Sequence, residues 1–202
     1  MRKADLAHNH RKLDAAIERH RDFMRKCIDA QRVIATAEEK RMLAESVILR
    51  LCAQWEQFLD EHIADSINVT PVQLGEYLGA AIPKNPSRDL CVALVFGGTY
   101  RDFRSFGDLK GFTKRILPDT ENPFLQVTNA HARKIDEVYK IRNYLSHYSA
   151  YARRSLARMY NDEYHNTRFL EPGQFLLAYD GQRLWSYFDA FQGASEDMKA
   201  WY

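Results

Sequence analysis

The feature that most narrows what this chain can fold into is a helical rhythm of apolar residues running from one end to the other, with no strand pattern of comparable strength beside it. Leu6, Leu13, Ile17, Met24 and Ile28 recur at spacings of four or seven. That puts them on one stripe of a helix over about 5–31. Thr36 followed by Glu39 is the spacing of a capping box, and it predicts the start of a second helix. Val47, Leu51, Trp55, Phe58, Leu59 and Ile63 then form a wide apolar face to about Ser66, which suits antiparallel pairing with the first helix. The longest continuous pattern runs from Val127 to about Tyr160 through Ile135, Val138, Ile141, Leu145, Tyr148, Ala152 and Leu156. The spacing predicts one helix over that whole stretch.

Shorter elements lie between these. Thr70-Pro71 predicts an N-cap followed by Pro at the first helical position, with Gly79 ending the turn. Ser87 predicts the cap of a helix through Leu90, Val92, Leu94 and Val95, stopped at Gly97-Gly98. Cys91–Phe96 also suits a buried strand, but no second strand exists to pair with it, so helix is preferred. No Gly-Lys-Ser/Thr follows the paired glycines, which removes a phosphate-loop reading. Residues 99–122 are rich in aromatics and turns and read as an insertion, with a short helix over about 108–116. Within it Phe103 and Phe106 with Arg101 and Arg104 are a possible base-stacking platform, with ordinary packing the favoured reading. Residues 170–202 read as a C-terminal extension with a helix over about 182–191, and Met198, Trp201 and Tyr202 as apolar residues that dock on the body or on a second subunit. There is no internal repeat, so the 202 residues read as one all-α domain.

Charge and cysteine content exclude several classes of function. The net charge is +2, so any affinity for nucleic acid has to come from a local patch. Arg11, Lys12, Arg19, Arg21, Arg25 and Lys26 crowd the first helix, and interleaved carboxylates favour a solvated face over a phosphate-facing one. Cys27, Cys52 and Cys91 have no metal-ligand spacing and read as buried thiols of a cytoplasmic protein. No apolar run is long enough to span a membrane. There is no His-Glu-x-x-His, no Gly-x-Ser-x-Gly and no dense acidic cluster, so neither a zinc, a serine-nucleophile nor a two-metal chemistry is indicated, and no cofactor is expected. Glu56, beside Trp55, is either an inward carboxylate paired with a base or a surface residue. His62 reads as a core or boundary histidine.

The candidate chemistry lies in Lys140-Ile141-Arg142-Asn143-Tyr144-Leu145-Ser146-His147-Tyr148. Arg142 offers a permanently charged planar fork matched to phosphate oxygens. His147 carries a side chain whose ordinary pKa lies nearest neutrality and can take or give a proton. Those two groups are enough to cut RNA without a metal. Asn143, Tyr148, Arg153 and Arg154 are candidate motif-positioning or RNA-contacting residues. Arg153, Arg154 and Arg158 are interleaved with Tyr151 and Tyr160, a mixture suited to nucleic acid. On an ideal helix, at about 100° per residue, Arg142 and His147 lie roughly 140° apart. They share a face only if the helix bends, if the long Arg side chain curls round, or if two subunits assemble the site.

The run Arg142-Asn143-x-x-x-His147 resembles the signature of the HEPN superfamily, with four residues between Arg and His, the short end of that family's range. The resemblance covers an all-helical plan with two long N-terminal helices and a late motif-bearing helix. Residues 99–122 and the C-terminal tail match nothing in it. The resemblance implies a homodimer whose two Arg/His motifs line one composite cleft. It implies Arg142 and His147 as the catalytic pair, with Asn143 positioning the motif or binding phosphate. It also implies a metal-independent endoribonuclease of toxin or phage-defence type, held in check by a nucleotidyltransferase-like antitoxin. A non-catalytic RNA-binding, nucleotide-binding or protein-interaction module is the alternative it leaves open.

Overall fold

The computed structural model describes residues 3–29, 36–97 and 103–199. Among them every regular element is helical: α1 (Leu6–Asp29), α2 (Ala37–Val69), α3 (Val72–Leu78), α4 (Arg88–Phe96), α5 (Phe106–Ile116), α6 (Asn129–His147), α7 (Ala150–Tyr164), α8 (Pro172–Leu176) and α9 (Gln182–Lys199), with two short 3₁₀ turns before α6. The long helices α1 and α2 pair antiparallel, α9 packs on α1 and α6, and α2 also touches α4, α6 and α8. No described helix is long and apolar enough to cross a membrane.

Most boundaries follow the local chemistry. The capping box at Thr36 forms as expected: its hydroxyl accepts from the Glu39 N–H at 3.2 Å, and the Glu39 carboxylate accepts from the Thr36 N–H at 2.7 Å. The stripe of α1 is buried at Leu6, Leu13, Ile17 and Met24. Its basic residues lie mostly against carboxylates, Lys12 on Glu61, Arg21 on Asp189 and Arg11 on Asp5. This is the solvated-face reading. Ser87 caps α4, and Gly97 ends it with φ of 56°, a left-handed conformation that glycine adopts without a Cβ penalty.

Four expectations need correction. The predicted helix from Val127 to Tyr160 is two helices. α6 ends at His147, Tyr148 takes φ of 46°, and Ser149 caps α7 through the Ala152 N–H. The apolar period runs across this break, so hydrophobicity conceals it, while the Ser149 cap satisfies donors that an unbroken helix would not need. At that break Tyr148, one residue of the apolar pattern, is exposed. The start of α3 shifts by one residue: Pro71 stands at the cap, and the Thr70 hydroxyl turns away to the Glu121 carboxylate. α2 runs on to Val69, where Asn68 finds tertiary partners in Pro86 and Ala4. Finally, α9 continues well past Phe191 to Lys199. A Cβ on Gly193 would fall 2.4 Å from the His131 ring, so the glycine is there for close packing and does not stop the helix.

The regions read as an insertion and a tail supply part of the core. Trp55 is fully buried, with the rings of Phe58, Phe106 and Phe191 around it at 5.3, 6.3 and 5.3 Å. Its indole N–H donates to the Tyr139 hydroxyl at 3.1 Å. One aromatic cluster therefore ties α2 to α5, α6 and α9, and the motif-bearing helix is held by that cluster. Phe103 and Phe106 are buried, the packing reading of that pair. Tyr100, Arg101, Trp201 and Tyr202 lie outside the described residues.

Candidate functional site

The last three turns of α6 and the start of α7 form one wall of an open groove of about 570 Å³. α6 contributes Tyr139, Lys140, Arg142, Asn143 and His147. Ser149, Tyr151 and Ser155 come from the turn and α7, and Phe103 and Arg104 close the far side. The turn at Tyr148 sets α7 against α6, and residues of both helices line the groove. Arg142 and His147 line this groove within one chain despite their angular separation on an ideal helix.

Arg142 is held from behind. Its Nη2 lies 3.1 Å from Glu56 Oε1, with the two side chains only 22% and 19% exposed. Glu56 also accepts from the Cys52 thiol at 3.8 Å. The inward reading of Glu56 is the one found. Asn143 is half-buried in the groove, whereas His147 and Lys140 are exposed. Lys140 and His147 are seven apart in sequence, which places them within about 20° on the helix. That spacing was the available sign that Lys140 belongs to the site. Tyr139 is no proton carrier near neutral pH, because burial and then the nearby Cys52 thiol raise its phenol well above the ordinary range.

The other three candidates are elsewhere. Tyr148 is exposed and packs against Tyr144 with ring centroids 5.3 Å apart. The guanidinium of Arg153 lies 4.1 Å over the Phe169 ring, and Arg153 does not line the groove. Arg154 is exposed and does not line the groove. Arg104, read only as part of a stacking platform, is a groove residue. His62 is fully buried and stacks on Phe58 at 5.0 Å, and burial lowers its pKa well below the usual value. His10 is likewise buried and lowered to about 4, so both stay neutral. Among the described residues no group of three or more His, Cys, Asp or Glu is arranged to hold a metal ion.

Asp60 follows Glu56 by one turn of α2 and has a measurable pH signature. Burial first, then the charges of Glu56 and Glu61, raise its pKa from 3.8 to about 6. The folded state therefore holds this proton more tightly than the unfolded chain does, and stability falls as pH rises from about 4 to about 6. Asp60→Asn removes that loss. Chemical denaturation at pH 7 should show a gain of about 1–2 kcal/mol, after a discount for solvent screening, and a flatter profile between pH 4 and 6. An unchanged profile would show that Asp60 is ordinary.

Compared with known proteins, the chain matches no family model, no curated relative and no solved structure.

Proposed function

We propose that this all-α protein is a metal-independent endoribonuclease of the HEPN type, acting as a toxin or phage-defence enzyme. One observation carries the reading: Arg142, Asn143 and His147 line a single open groove together with the cations Lys140 and Arg104. A groove so furnished suits a phosphodiester and the proton transfers that break it.

In the proposed reaction the 2′-oxygen of a ribose attacks the adjacent phosphorus, and the bond to the 5′-oxygen breaks. The 2′-hydroxyl proton leaves to a base, and the departing 5′-oxygen receives a proton from an acid. The products are a 2′,3′-cyclic phosphate and a free 5′-hydroxyl. His147 takes one of the two proton-transfer roles. Arg142, oriented by Glu56, faces the charge that grows on the non-bridging oxygens, and Lys140 adds to the field. A second copy supplies the other proton carrier in a homodimer whose two-fold axis runs beside the α6–α7 corner. Tyr148 and Tyr151, 65% and 73% exposed there, offer aromatic surface for the mate. A nucleotidyltransferase-like antitoxin is the expected partner.

A second reading has its own support. The ion pair between Arg142 and Glu56 is also what a structural arginine would make, and it favours a non-catalytic module that binds RNA, nucleotide or protein. Incubating the purified protein with total RNA in EDTA separates the two. Fragments ending in 2′,3′-cyclic phosphate are expected. Intact RNA with retained affinity would establish the binding module, and cleavage that requires added metal would sink the mechanism.

A further inference from the structure

The groove does not end at Arg104. A second depression of about 360 Å³ shares Phe103 and Arg104 with it and continues over α5 past Gly107, Asp108 and Gly111 to Arg115. Through the shared Phe103 and Arg104 the two linings together trace a path from His147 at the end of α6 to Arg115 in the last turn of α5.

Three observations bear on what this path holds. Arg104, which lines both depressions, and Arg115, at the far end of the second, are exposed, and among the described residues neither forms an ion pair with a carboxylate. Most arginines of α1 differ here, since Arg11, Arg21 and Arg25 each sit against Asp or Glu. Second, the floor is low. Gly107 and Gly111 expose backbone along the path, and a Cβ on Gly111 would meet nothing within 4 Å. Third, the path opens directly into the groove that carries Arg142 and His147. Among the described residues Asp108 is the one carboxylate lining it, against the two guanidiniums of Arg104 and Arg115.

We infer that the α5 depression is a track for the sugar–phosphate backbone of single-stranded RNA, holding the nucleotides that flank the scissile phosphate. The inference rests on the ribonuclease reading and deepens it, because it makes the substrate an extended strand and excludes a mononucleotide. Arg104 binds the phosphate where the two depressions meet, and Arg115 binds one farther along. The bare backbone at Gly107 and Gly111 lets the strand lie close to the helix.

The test uses the full-length protein with fluorescein-labelled 2′-O-methyl oligouridylates of three and nine nucleotides, which bind but lack the attacking hydroxyl. Anisotropy titrations across a salt series give affinity and salt slope. The nine-mer should bind more tightly than the three-mer. Arg104→Ala and Arg115→Ala should each lower the slope of log K against log salt for the nine-mer by about 0.7, the share of one single-strand phosphate contact. Gly111→Glu places a carboxylate in open space on the track and should weaken the nine-mer about tenfold while sparing the three-mer. Gly111→Gln, similar in size but neutral, fills the same space without the charge and should weaken the nine-mer clearly less than Gly111→Glu does, and its thermal melting confirms that the helix tolerates a side chain there. Equal binding of both lengths, or a Gly111→Glu variant that binds the nine-mer as wild type does, would overturn the track. If the wild type still cuts RNA in that event, the ribonuclease reading stands without it. If neither oligonucleotide binds and no RNA is cut, both readings fall.

Discussion

Replacing His147 by Ala should lower RNA cleavage by about 10²–10⁴-fold, the contribution of one placed acid or base. The same change should leave the fold intact. His147 is the last residue of α6 and is exposed to solvent, and substitution at such a position shifts stability by only about 0.5 kcal/mol or less. Its one structural contribution is a basic group near a helix C-terminus, worth roughly 0.3–1 kcal/mol when charged. Loss of activity with an unchanged melting curve would therefore locate chemistry at His147. A variant that cuts at the wild-type rate would remove His147 from the mechanism and leave the groove as a binding surface. Single-turnover kinetics with excess enzyme is the measurement to use, because it isolates the cleavage step from product release.

The largest expected loss of stability follows from Glu137→Ala. Glu137 is 1% exposed, on the face of α6 turned toward α7 and α9. Its carboxylate accepts from Lys134 at 3.0 and 3.1 Å, from the Tyr164 hydroxyl at 2.5 Å and from the Tyr187 hydroxyl at 2.9 Å. Lys134 also reaches the Tyr164 hydroxyl at 2.6 Å. Burial first, then the Glu137 charge, raises the Tyr187 phenol well above its usual range, so that hydroxyl stays protonated and donates. Removing the carboxylate leaves the half-buried Lys134 ammonium, the buried Tyr187 hydroxyl and the half-buried Tyr164 hydroxyl without their common acceptor. Breaking a fully buried pair costs about 3–5 kcal/mol, and because Lys134 is 29% exposed the loss here should lie at the low end, about 3 kcal/mol. Urea denaturation should show that loss, and Glu137→Gln, which keeps an acceptor oxygen, should show less. A change under about 1 kcal/mol would mean that the network repacks or hydrates at little cost. Because this network fixes α6 against α7, its loss should also loosen the turn at Tyr148 that shapes the groove.

Which parts of this architecture could be read without coordinates depended on how far apart the deciding groups lie along the chain. The capping box at Thr36, the caps at Ser87 and Gly97, and the buried stripes of α1 and α2 were legible, because each is an interaction among residues within a few positions of one another. The all-helical class followed from the same local periodicity. The break between α6 and α7 was missed even though its cap is local. Ser149 does not interrupt the apolar rhythm, and hydrophobic spacing alone cannot distinguish a continuous helix from two helices in register across a tight turn.

The candidate residues divide in the same way. Arg142, Asn143 and His147 were nominated by residue type and by the resemblance of their run to the HEPN signature. Whether they line one groove could not be read from angles on an ideal helix, since the groove is completed by residues of α7 and by Phe103 and Arg104. Arg153 was nominated only as an RNA contact just beyond the motif, and its guanidinium lies over Phe169, a ring sixteen positions away that no local pattern pairs with it. Glu56 is on another helix, eighty-six residues before Arg142, and its inward orientation is set by the packing of α2 on α6. By itself, then, the sequence determined the helices, most of their caps and the chemical types available near His147. The tertiary structure alone decided which of those groups share a groove, because long-range packing places side chains relative to one another and local propensity does not.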